Sequence, residues 1–372
     1  MKIMNYTATA VLVVLVFYLL IVGESLLLPL VIAIALWYLI NTLARAFNRI
    51  QLGDFSFPMP LCIVASMLTF LSLIWAVINF LSSSFDEVLR VAPAYQRNLT
   101  ERLENLPFLD ITSFQDQSLS QLLAEWIDLP SYAASLASSA AGILASGGLI
   151  LIYMGFLFFE QGHFRGKIRA LVDDDDREEE VTRILTRVRD DIQKYISIKF
   201  FTSSLTGLLS YTVLMLLDVD FAGVWGLLIF LLNFIPTVGS IIATVFPAMI
   251  ALAQSDGYTL FLAVMLGIGA LQITIGNIIE PRLMGSSFNL SPIIILINLA
   301  LWNSIWGIPG MFLCVPFLII GTIVLSHFPQ TRPIAVILSS DGDLRVPADK
   351  ILTPFQVSTL GQLASPTGQE ED

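Results

Sequence analysis

Charged residues are scarce in this sequence: Asp, Glu, Lys and Arg together make up only 13% of its 372 residues. A soluble globular domain carries about 25%, and hydrophobic residues here reach 56%. Cys62 and Cys314 are the only two cysteines, and both lie in predicted spans far apart in sequence, so we expect no structural disulfide; no Cys/His spacing of a metal site occurs. No basic face with interleaved aromatic residues occurs, so nucleic acid is not an expected partner. The composition predicts a polytopic membrane protein whose main partner is the lipid bilayer.

The sequence motifs of common enzymes are also missing. There is no Walker A loop, no H-E-x-x-H and no G-x-S-x-G. We therefore expect no enzymatic activity, no metal and no cofactor.

About six apolar runs have the length of a membrane span, because a bilayer core of about 30 Å needs about 20 helical residues. They occupy residues 6–22, 25–44, 60–81, 136–159, 196–217 and 258–279. Lys and Arg cluster after the second, fourth and sixth runs and in the C-terminal tail. Since positive residues favour the cytoplasmic side, we expect both termini in the cytoplasm.

Two further apolar stretches break at a Pro/Gly turn in the middle. The first, 221–252, turns at Asn-Phe-Ile-Pro-Thr-Val-Gly (233–239), and the second, 291–328, turns at Trp-Asn-Ser-Ile-Trp-Gly-Ile-Pro-Gly (302–310). Their first arms have about 15 residues or fewer, about 22 Å of helix, which is too short to cross the bilayer comfortably. Backbone that turns within lipid must be buried in protein or line a wet cavity. These stretches predict two re-entrant or broken helical hairpins, and paired interruptions of this kind point to a transport site.

The predicted topology gives the two hairpins opposite orientations. The span 196–217 leaves the cytoplasm, the hairpin 221–254 re-enters from outside, the span 258–279 returns, and the hairpin 290–328 enters from the cytoplasm. Such an inverted pair places substrate near the membrane midplane. The alternative is that 221–235 is a short tilted span and the repeat is accidental. The expected fold class is an all-α polytopic membrane protein with about six full spans plus two re-entrant or broken helical hairpins forming an inverted pair.

Composition and charge divide the chain into successive segments. They are three N-terminal spans (1–82), extracytoplasmic amphipathic helices (83–135), a fourth span with a cytoplasmic helical linker (136–195), a transport core with two inverted hairpin units (196–328), and a partly disordered cytoplasmic tail (329–372). Acidic residues outnumber basic ones in 83–135, where Leu and aromatic residues recur at helical spacing. We expect these helices to lie on the membrane face or against neighbouring subunits.

The first hairpin carries polar groups at its turn. Asn233 and Thr237 bracket Pro236, which removes a backbone donor and frees a carbonyl. Gly239 permits a positive φ or a close helix approach. An amide, a hydroxyl and bare carbonyls suit a cation or a polyhydroxylated solute, and the other interpretation is a capped tight turn without a ligand.

A second set of candidates lies toward the end of the span 258–279. Gln272, Asn277 and Glu280 follow a spacing of roughly i, i+4/i+5 and i+8, which predicts one hydrophilic helix face. Glu280 either caps the turn or pairs with Arg282, or it exchanges a proton or a sodium ion during transport if it is partly buried.

In the second hairpin, Asn298 and Asn303 offer amides beside Trp302 and Trp306. Amides beside aromatic walls suit a small polar solute, although Trp also anchors helices at membrane interfaces. The residues of the turn itself are Gly307, Pro309 and Gly310.

Four short motifs occur in a recognisable order along the chain. They are Asn-Phe-Ile-Pro-Thr-Val-Gly at 233–239, Glu-Pro-Arg-Leu-Met-Gly at 280–285, Leu-Ser-Pro at 290–292 and Gly-Ile-Pro-Gly-Met-Phe-Leu-Cys-Val-Pro at 307–316. In combination they resemble the autoinducer-2 exporter family of bacterial permeases, over about residues 1–328, with Cys314 standing where a small residue such as Ala is expected. The positions that carry the resemblance are Asn233, Pro236, Gly239, Glu280, Pro281, Arg282, Gly285, Pro292, Gly307, Gly310 and Pro316.

The resemblance implies about eight membrane segments, a homo-oligomer in the bacterial inner membrane, and either export of autoinducer-2 or sodium(lithium)/proton antiport. We predict a secondary transporter that exports a small polar solute. The sequence leaves open an elevator-like movement of the hairpin units and coupling to sodium or protons. The antiporter is the alternative within transport, and the alternative from another class is a membrane scaffold that recruits partners through 83–135 or 161–195 and transports nothing.

Overall fold

The computed structural model describes residues 2–49, 51–52, 55–56, 58–104, 142, 146–163, 166–167, 175–255, 257–285, 289–328 and 330–344. The predictions for 105–141 and for the tail beyond 344 lie outside the described residues. Helices form almost all of the described chain, which confirms the helical fold class. The described chain also holds one antiparallel pair of two-residue strands, β1 (Gln51–Leu52) and β2 (Phe55–Ser56).

The N-terminal helices follow the predicted apolar runs. Their bounds are α1 (Lys2–Val22), α2 (Glu24–Asn48), α3 (Met59–Glu104) and α4 (Gly147–Glu160). Ala33 and Ile40 of α2 are buried against Ile150 and Met154 of α4, and apolar side chains of α3 pack around them. These contacts hold α2, α3 and α4 together.

Helix α3 is longer than the sequence suggests. A boundary is predicted between a span that ends near residue 81 and separate helices from 83 onward, but the helix continues to Glu104. Residues 81–83 are Leu-Ser-Ser, and no Gly or Pro is present there to end a helix. The 46 residues of α3 extend about 69 Å, which is more than twice the apolar core of a bilayer.

Helix α5 (Asp175–Leu216) is also continuous where two elements are predicted, a cytoplasmic linker up to 195 and a span from 196. It begins within an acidic run, as the helix macrodipole favours. No Gly or Pro occurs between 175 and 206, so nothing local interrupts the helix.

The first predicted hairpin is present in the structure. It consists of α6 (Ala222–Leu232) and α7 (Val238–Gln254), joined by a short turn. Its two free ends meet, because the side-chain amide of Gln254 donates to the carbonyl of Asp218 (2.7 Å) and its oxygen accepts from the backbone N–H of Asp220 (2.9 Å). The chain therefore folds back on itself instead of continuing as one rod.

The helix that follows the first hairpin changes type along its length. Its parts are α8 (Tyr258–Thr274), a π-helical segment (Ile275–Ile279) and α9 (Glu280–Met284). Val264 and Ile268 of α8 are buried in one cluster with Leu214 of α5 and Ile229 of α6. This cluster packs α8 against the first hairpin and the end of α5.

The second predicted hairpin lies within α10 (Pro292–His327). Helical dihedral angles are interrupted there at Trp306 (φ −129°, ψ 16°) and Gly307 (φ 59°, ψ −141°). The arms on either side run antiparallel, because Nδ2 of Asn298 donates to the carbonyl of Cys314 at 2.5 Å and Trp306 lies midway between these two residues in sequence. The chain thus doubles back at the predicted turn.

The free ends of the second hairpin are also brought together. After α11 (Arg332–Leu338), the carbonyl of Leu338 accepts from the backbone N–H of Ser291 at 3.0 Å, and the N–H of Ser340 donates to the carbonyl of Asn289 at 3.2 Å. Backbone hydrogen bonds therefore join the residues that precede the α10 hairpin to those that follow α11.

Among the described residues, four helical stretches are long and apolar enough to cross a membrane. They are Glu24–Asn48, Met59–Phe80, Tyr258–Met284 and Pro292–His327. The last of these is the α10 hairpin, so its 36 residues form two arms and not a single crossing. The predicted span 196–217, which lies in α5, is not one of the four. Its helix is rich in buried Ser and Thr, as described below.

The chain forms two compact units. One comprises Met1–Phe164 and Gln193–Met284, and the other Arg165–Ile192 and Gly285–Asp372. The first unit contains the α6–α7 hairpin, and the second contains the α10 hairpin. The segment boundaries proposed from composition stay a prediction.

Candidate functional site

The turn of the first hairpin is strained. The backbone N–H of Val238 donates to the carbonyl of Pro236 at 2.5 Å, which closes a three-residue γ-turn around Thr237. Thr237 has φ 59° and ψ −57°, the rare form of this turn and one that a β-branched residue disfavours. Strain of this kind persists only where the surrounding structure enforces it, and it concentrates at functional sites.

Gly239 lets the arms of the first hairpin approach closely. A Cβ atom at this position would lie 1.8 Å from the carbonyl oxygen of Leu232 and 3.1 Å from the Cβ of Ile235. Only glycine leaves room for that carbonyl. The residue predicted to permit close approach therefore does so.

Gly310 has the same role in the second hairpin. A Cβ atom there would lie 2.1 Å from the carbonyl oxygen of Trp302 and 3.1 Å from the Cβ of Trp306. In both hairpins the glycine faces a carbonyl at the end of the first arm and the side chain four residues before it. Gly307, with its positive φ, supplies the reversal itself.

Aromatic rings fill the second hairpin. Trp302 stacks on Phe317 with ring centroids 4.0 Å apart, and Trp306 lies 5.1 Å from Trp302 and 5.6 Å from Phe317. Asn298 donates its amide to a backbone carbonyl, and Asn303 is exposed. The structure therefore does not bring the two predicted amides into one site, because the rings between the arms pack against each other.

Asn233, in contrast, is buried and contacts α5. It is 7% exposed, and its Nδ2 donates to Oγ of Ser203 at 3.0 Å. Gly207 of α5 and Gly226 of α6 allow this contact, since a Cβ at Gly207 would lie 2.7 Å from the carbonyl oxygen of Gly226. Small residues at a membrane-helix crossing let the backbones approach in this way.

Helix α5 carries a buried polar strip, formed by Thr202, Ser203, Thr206 and Ser210. Each of them is 0% exposed. Thr202, Thr206 and Ser210 follow one another at intervals of four residues and Ser203 precedes Thr206 by three, so all four lie on one helix face. Thr206 donates to the carbonyl of Thr202 at 2.8 Å. Oγ of Ser210 has no hydrogen-bond partner within the described chain. A buried hydroxyl left unpaired is costly, so this position can accept a polar ligand.

Glu280 forms an ion pair with Lys199, which lies one turn before the polar strip. The Nζ atom lies 2.8 Å from Oε1 and 3.0 Å from Oε2, and Oγ1 of Thr202 donates to Oε2 at 3.3 Å. The Lys199 and Glu280 side chains are only 8% and 15% exposed. The predicted pairing with Arg282 is wrong, since Arg282 is exposed and helical residues two apart do not face each other.

The π-helical segment changes the predicted hydrophilic face. Nε2 of Gln272, just before that segment, is buried without a hydrogen-bond partner in the described chain, whereas Asn277, inside it, is exposed. A π-helix closes its hydrogen bonds over five residues, so the α-helical spacing used for the prediction does not hold. The prediction that Asn277 shares one hydrophilic face with Gln272 and Glu280 is therefore wrong.

Gln272 lies at the level of the polar strip. Gly267 of α8 abuts Val213 of α5, with a Cβ-to-Cγ1 distance of 3.1 Å for an added Cβ, and Glu280 contacts Lys199 further along the same helix. The two helices thus run antiparallel, and Gln272 falls between these contacts.

A separate cleft of about 910 Å³ lies between α3, α5 and α6. Phe80, Phe200 and Phe230 contribute to its largely apolar lining, and Ser204 and Tyr211 are among its polar residues. The polar strip does not line it. Its walls suit apolar chains better than a polar solute, which needs several convergent polar groups.

Comparison with known proteins identifies the family. The sequence profile of the AI-2E family transporter matches residues 8–330. The chain belongs to the AI-2E transporter family. It is 30% identical over 322 residues to the AI-2 transport protein TqsA of Escherichia coli (strain K12), which covers 85% of this chain and 90% of TqsA. It is also similar to YhhT of the same organism (28% over 287 residues, 75% and 79% covered) and to YueF of Bacillus subtilis (strain 168) (22% over 306 residues, 79% and 81% covered).

Family membership confirms the resemblance seen in the motifs, and it makes this AI-2E transporter a multi-pass membrane transport protein and not an enzyme. Several motif residues are not members of the polar strip. They are Pro281 and Arg282, exposed on α9; Gly285, which follows α9 with φ 59°; Pro292, which begins α10; and Pro309 and the buried Pro316, both within α10.

Sequence reasoning missed Lys199 and the polar strip of this AI-2E transporter. From sequence, Lys199 looks like one of the cations that mark the cytoplasmic side, and hydroxyl residues are common in membrane helices. The available signal is periodicity, because Lys199, Thr202, Thr206 and Ser210 recur every three or four residues.

Proposed function

We propose that this AI-2E transporter exports a small polar solute, autoinducer-2 or a molecule like it, across the bacterial inner membrane. The observation that carries the proposal is the convergence of Asn233 and Glu280 on adjacent residues of α5. Asn233 contacts Ser203, and Glu280 contacts Thr202 and Lys199. Buried polar and ionisable groups are expensive inside a membrane, so such a cluster is by default a solute or ion pathway.

The candidate solute site is the polar strip together with Asn233 and Gln272. Oγ of Ser210 and Nε2 of Gln272 have no hydrogen-bond partner among the described residues. The hydroxyl can donate or accept and the amide nitrogen offers two donors, and such groups suit a polyhydroxylated solute. Such a solute needs several hydrogen bonds to replace those it makes with water. The identity of autoinducer-2 as that solute rests on the name of TqsA and on 30% identity.

The membrane arrangement we propose has about six full spans plus two re-entrant hairpins in an inverted pair, with both termini in the cytoplasm. One set of contacts supports the sidedness. The Tyr95 hydroxyl donates to Asp220, and Nδ2 of Asn98 donates to the carbonyl of Ala253 at 3.1 Å. The far end of α3 therefore lies beside both ends of the first hairpin, as required if all three are extracytoplasmic.

Interrupted helices give such a transporter a way to move solute. Helix ends and freed backbone groups within the membrane can bind substrate, and a hairpin can shift as a rigid piece to change access. The matching close approaches at Gly239 and Gly310 support treating the hairpins as repeats that move in an elevator-like way. A homo-oligomer would hold the non-moving parts in place.

The test is efflux from proteoliposomes loaded with labelled autoinducer-2. We expect wild type to release it faster than empty liposomes and Asn233→Ala to slow release about tenfold, because the candidate solute site loses its buried amide, about the contribution of one hydrogen bond. Asn79→Ala is the matched control, since Asn79 is an exposed amide that bonds to its own helix at Trp75. No flux above empty liposomes would favour the scaffold, and equal rates for wild type and Asn233→Ala would remove Asn233 from the site.

A further inference from the structure

We propose that the ammonium of Lys199 occupies the position of a coupling cation at Glu280, so that this transporter works without sodium or lithium. The inference rests on the proposed function for its link to transport. It concerns the ion site only, and its main test needs no flux.

The ammonium of Lys199 lies where a cation bound to the Glu280 carboxylate would lie. The two oxygens of Glu280 lie 2.8 Å and 3.0 Å from Nζ. Oγ1 of Thr202 lies 3.3 Å from Oε2 and also 3.2 Å from the carbonyl oxygen of Lys199. Carboxylate oxygens are ligands that hard cations prefer, and here both oxygens of one carboxylate face an ammonium tethered to α5.

The charge balance excludes a second cation in this arrangement. One carboxylate and one ammonium cancel, and both side chains are almost completely buried. A sodium ion added beside Lys199 would leave one unpaired positive charge in a poorly solvated place, which is strongly unfavourable. Sodium can therefore bind at Glu280 only if the ammonium leaves.

The π-helical segment just before Glu280 fits such a site. It shifts the helix register between Ile275 and Ile279, so that Glu280 reaches α5 while Arg282 is exposed. Segments of this type are rare and recur at functional sites. The local backbone thus directs one carboxylate to Lys199.

The experiment measures thermal stability of the full-length protein in detergent, in sodium, lithium or choline chloride at equal ionic strength. Wild type should have the same Tm in all three salts. Lys199→Ala removes the ammonium and leaves the carboxylate and the hydroxyl, so its Tm should be low in choline and rise in sodium or lithium, because a ligand that binds only the folded state stabilises it. Lys199→Gln is a second variant that keeps more of the side-chain volume.

Two controls separate this effect from general salt effects. Lys194→Ala removes an exposed ammonium from the same helix and should behave as wild type. Lys199→Ala combined with Glu280→Gln removes the carboxylate charge and should lose the response to sodium.

A sodium- or lithium-specific rise in the Tm of wild type would overturn the proposal, and so would identical Tm values in all salts for both Lys199→Ala and Lys199→Gln. Efflux from proteoliposomes provides the link to function, and wild-type rates should be the same with and without a sodium gradient. If no solute moves at all, the proposed function fails while the stability result still decides the ion site.

Discussion

Replacing Gly310 with alanine tests the close approach between the arms of α10. The added Cβ would lie 2.1 Å from the carbonyl oxygen of Trp302 and 2.9 Å from its carbonyl carbon, both backbone atoms that cannot rotate away. The arms would have to separate by roughly 1 Å, and overpacking of this kind costs about 1–3 kcal/mol. We expect the upper part of that range, because the ring stack between Trp302 and Phe317 would also be disturbed.

The same helix provides a matched control in Gly321. A Cβ there has no neighbour within 4 Å, and alanine is a better helix former than glycine by about 0.5–1 kcal/mol. Gly321→Ala should therefore keep or raise stability, while Gly310→Ala lowers it. The same Gly→Ala replacement is thus expected to lower stability at one position of α10 and to keep or raise it at the other.

The assay compares Tm in detergent and efflux in proteoliposomes at equal reconstituted protein. Gly310→Ala should lower the Tm by several degrees and reduce efflux, and Gly321→Ala should match or exceed wild type in Tm. If both variants resemble wild type in Tm and efflux, the arms are not in contact as described. If both are destabilised equally, the cost comes from α10 in general and not from its turn.

Three further predictions concern single contacts. Thr237→Gly should raise the Tm, because glycine removes backbone strain of about 1–3 kcal/mol; an unchanged Tm would mean that the turn relaxes in another way. Lys199→Met should lower the free energy of unfolding by about 3–5 kcal/mol, because it leaves the carboxylate buried and unpaired. Adding Glu280→Met should restore most of that loss. If the losses of the two single variants simply add in the double variant, the pairing is contradicted. Burial, together with the hydrogen bond to and the negative charge of Asp220, raises the pKa of Tyr95. In the unfolded chain the pKa of a tyrosine is about 10, which is lower than in the folded protein. The stability that protonated Tyr95 contributes is therefore fully present below pH about 10 and is lost as the pH rises through the folded pKa. The Tm of Tyr95→Phe should then fall less than that of wild type above pH about 10, and parallel curves would contradict this.

The turns of the hairpins could be predicted because Pro and Gly act locally. Pro236 restricts its own backbone φ, and Gly307 permits a positive φ. The apolar arms on either side of these residues can be recognised from their composition. The helix breaks at these turns follow from a few neighbouring residues. The same local signals explain why α3 and α5 are longer than predicted, since no breaker stands where a boundary was placed.

The contacts of the candidate site join residues that lie close together in the fold but far apart in the sequence. Lys199 and Glu280 are 81 residues apart, and Ser203 and Asn233 are 30 apart. No periodicity within one helix can report which side chain of another helix lies opposite. The exposed position of Asn277 has a different cause, because a π-helical segment changes the residue spacing on which a helical face is predicted.

The side of the membrane on which the ends of each hairpin lie decides whether the two hairpins form an inverted re-entrant pair. Single cysteines replace Asp218 and Gly257 at the ends of the first hairpin, and Ser291 and Gln330 at the ends of the second, in a chain from which Cys62 and Cys314 have been removed. An impermeant maleimide should label positions 218 and 257 in intact cells, and positions 291 and 330 only after the inner membrane is opened. Labelling of the two ends of one hairpin from opposite sides, or of all four positions from the same side, would contradict the inverted re-entrant pair.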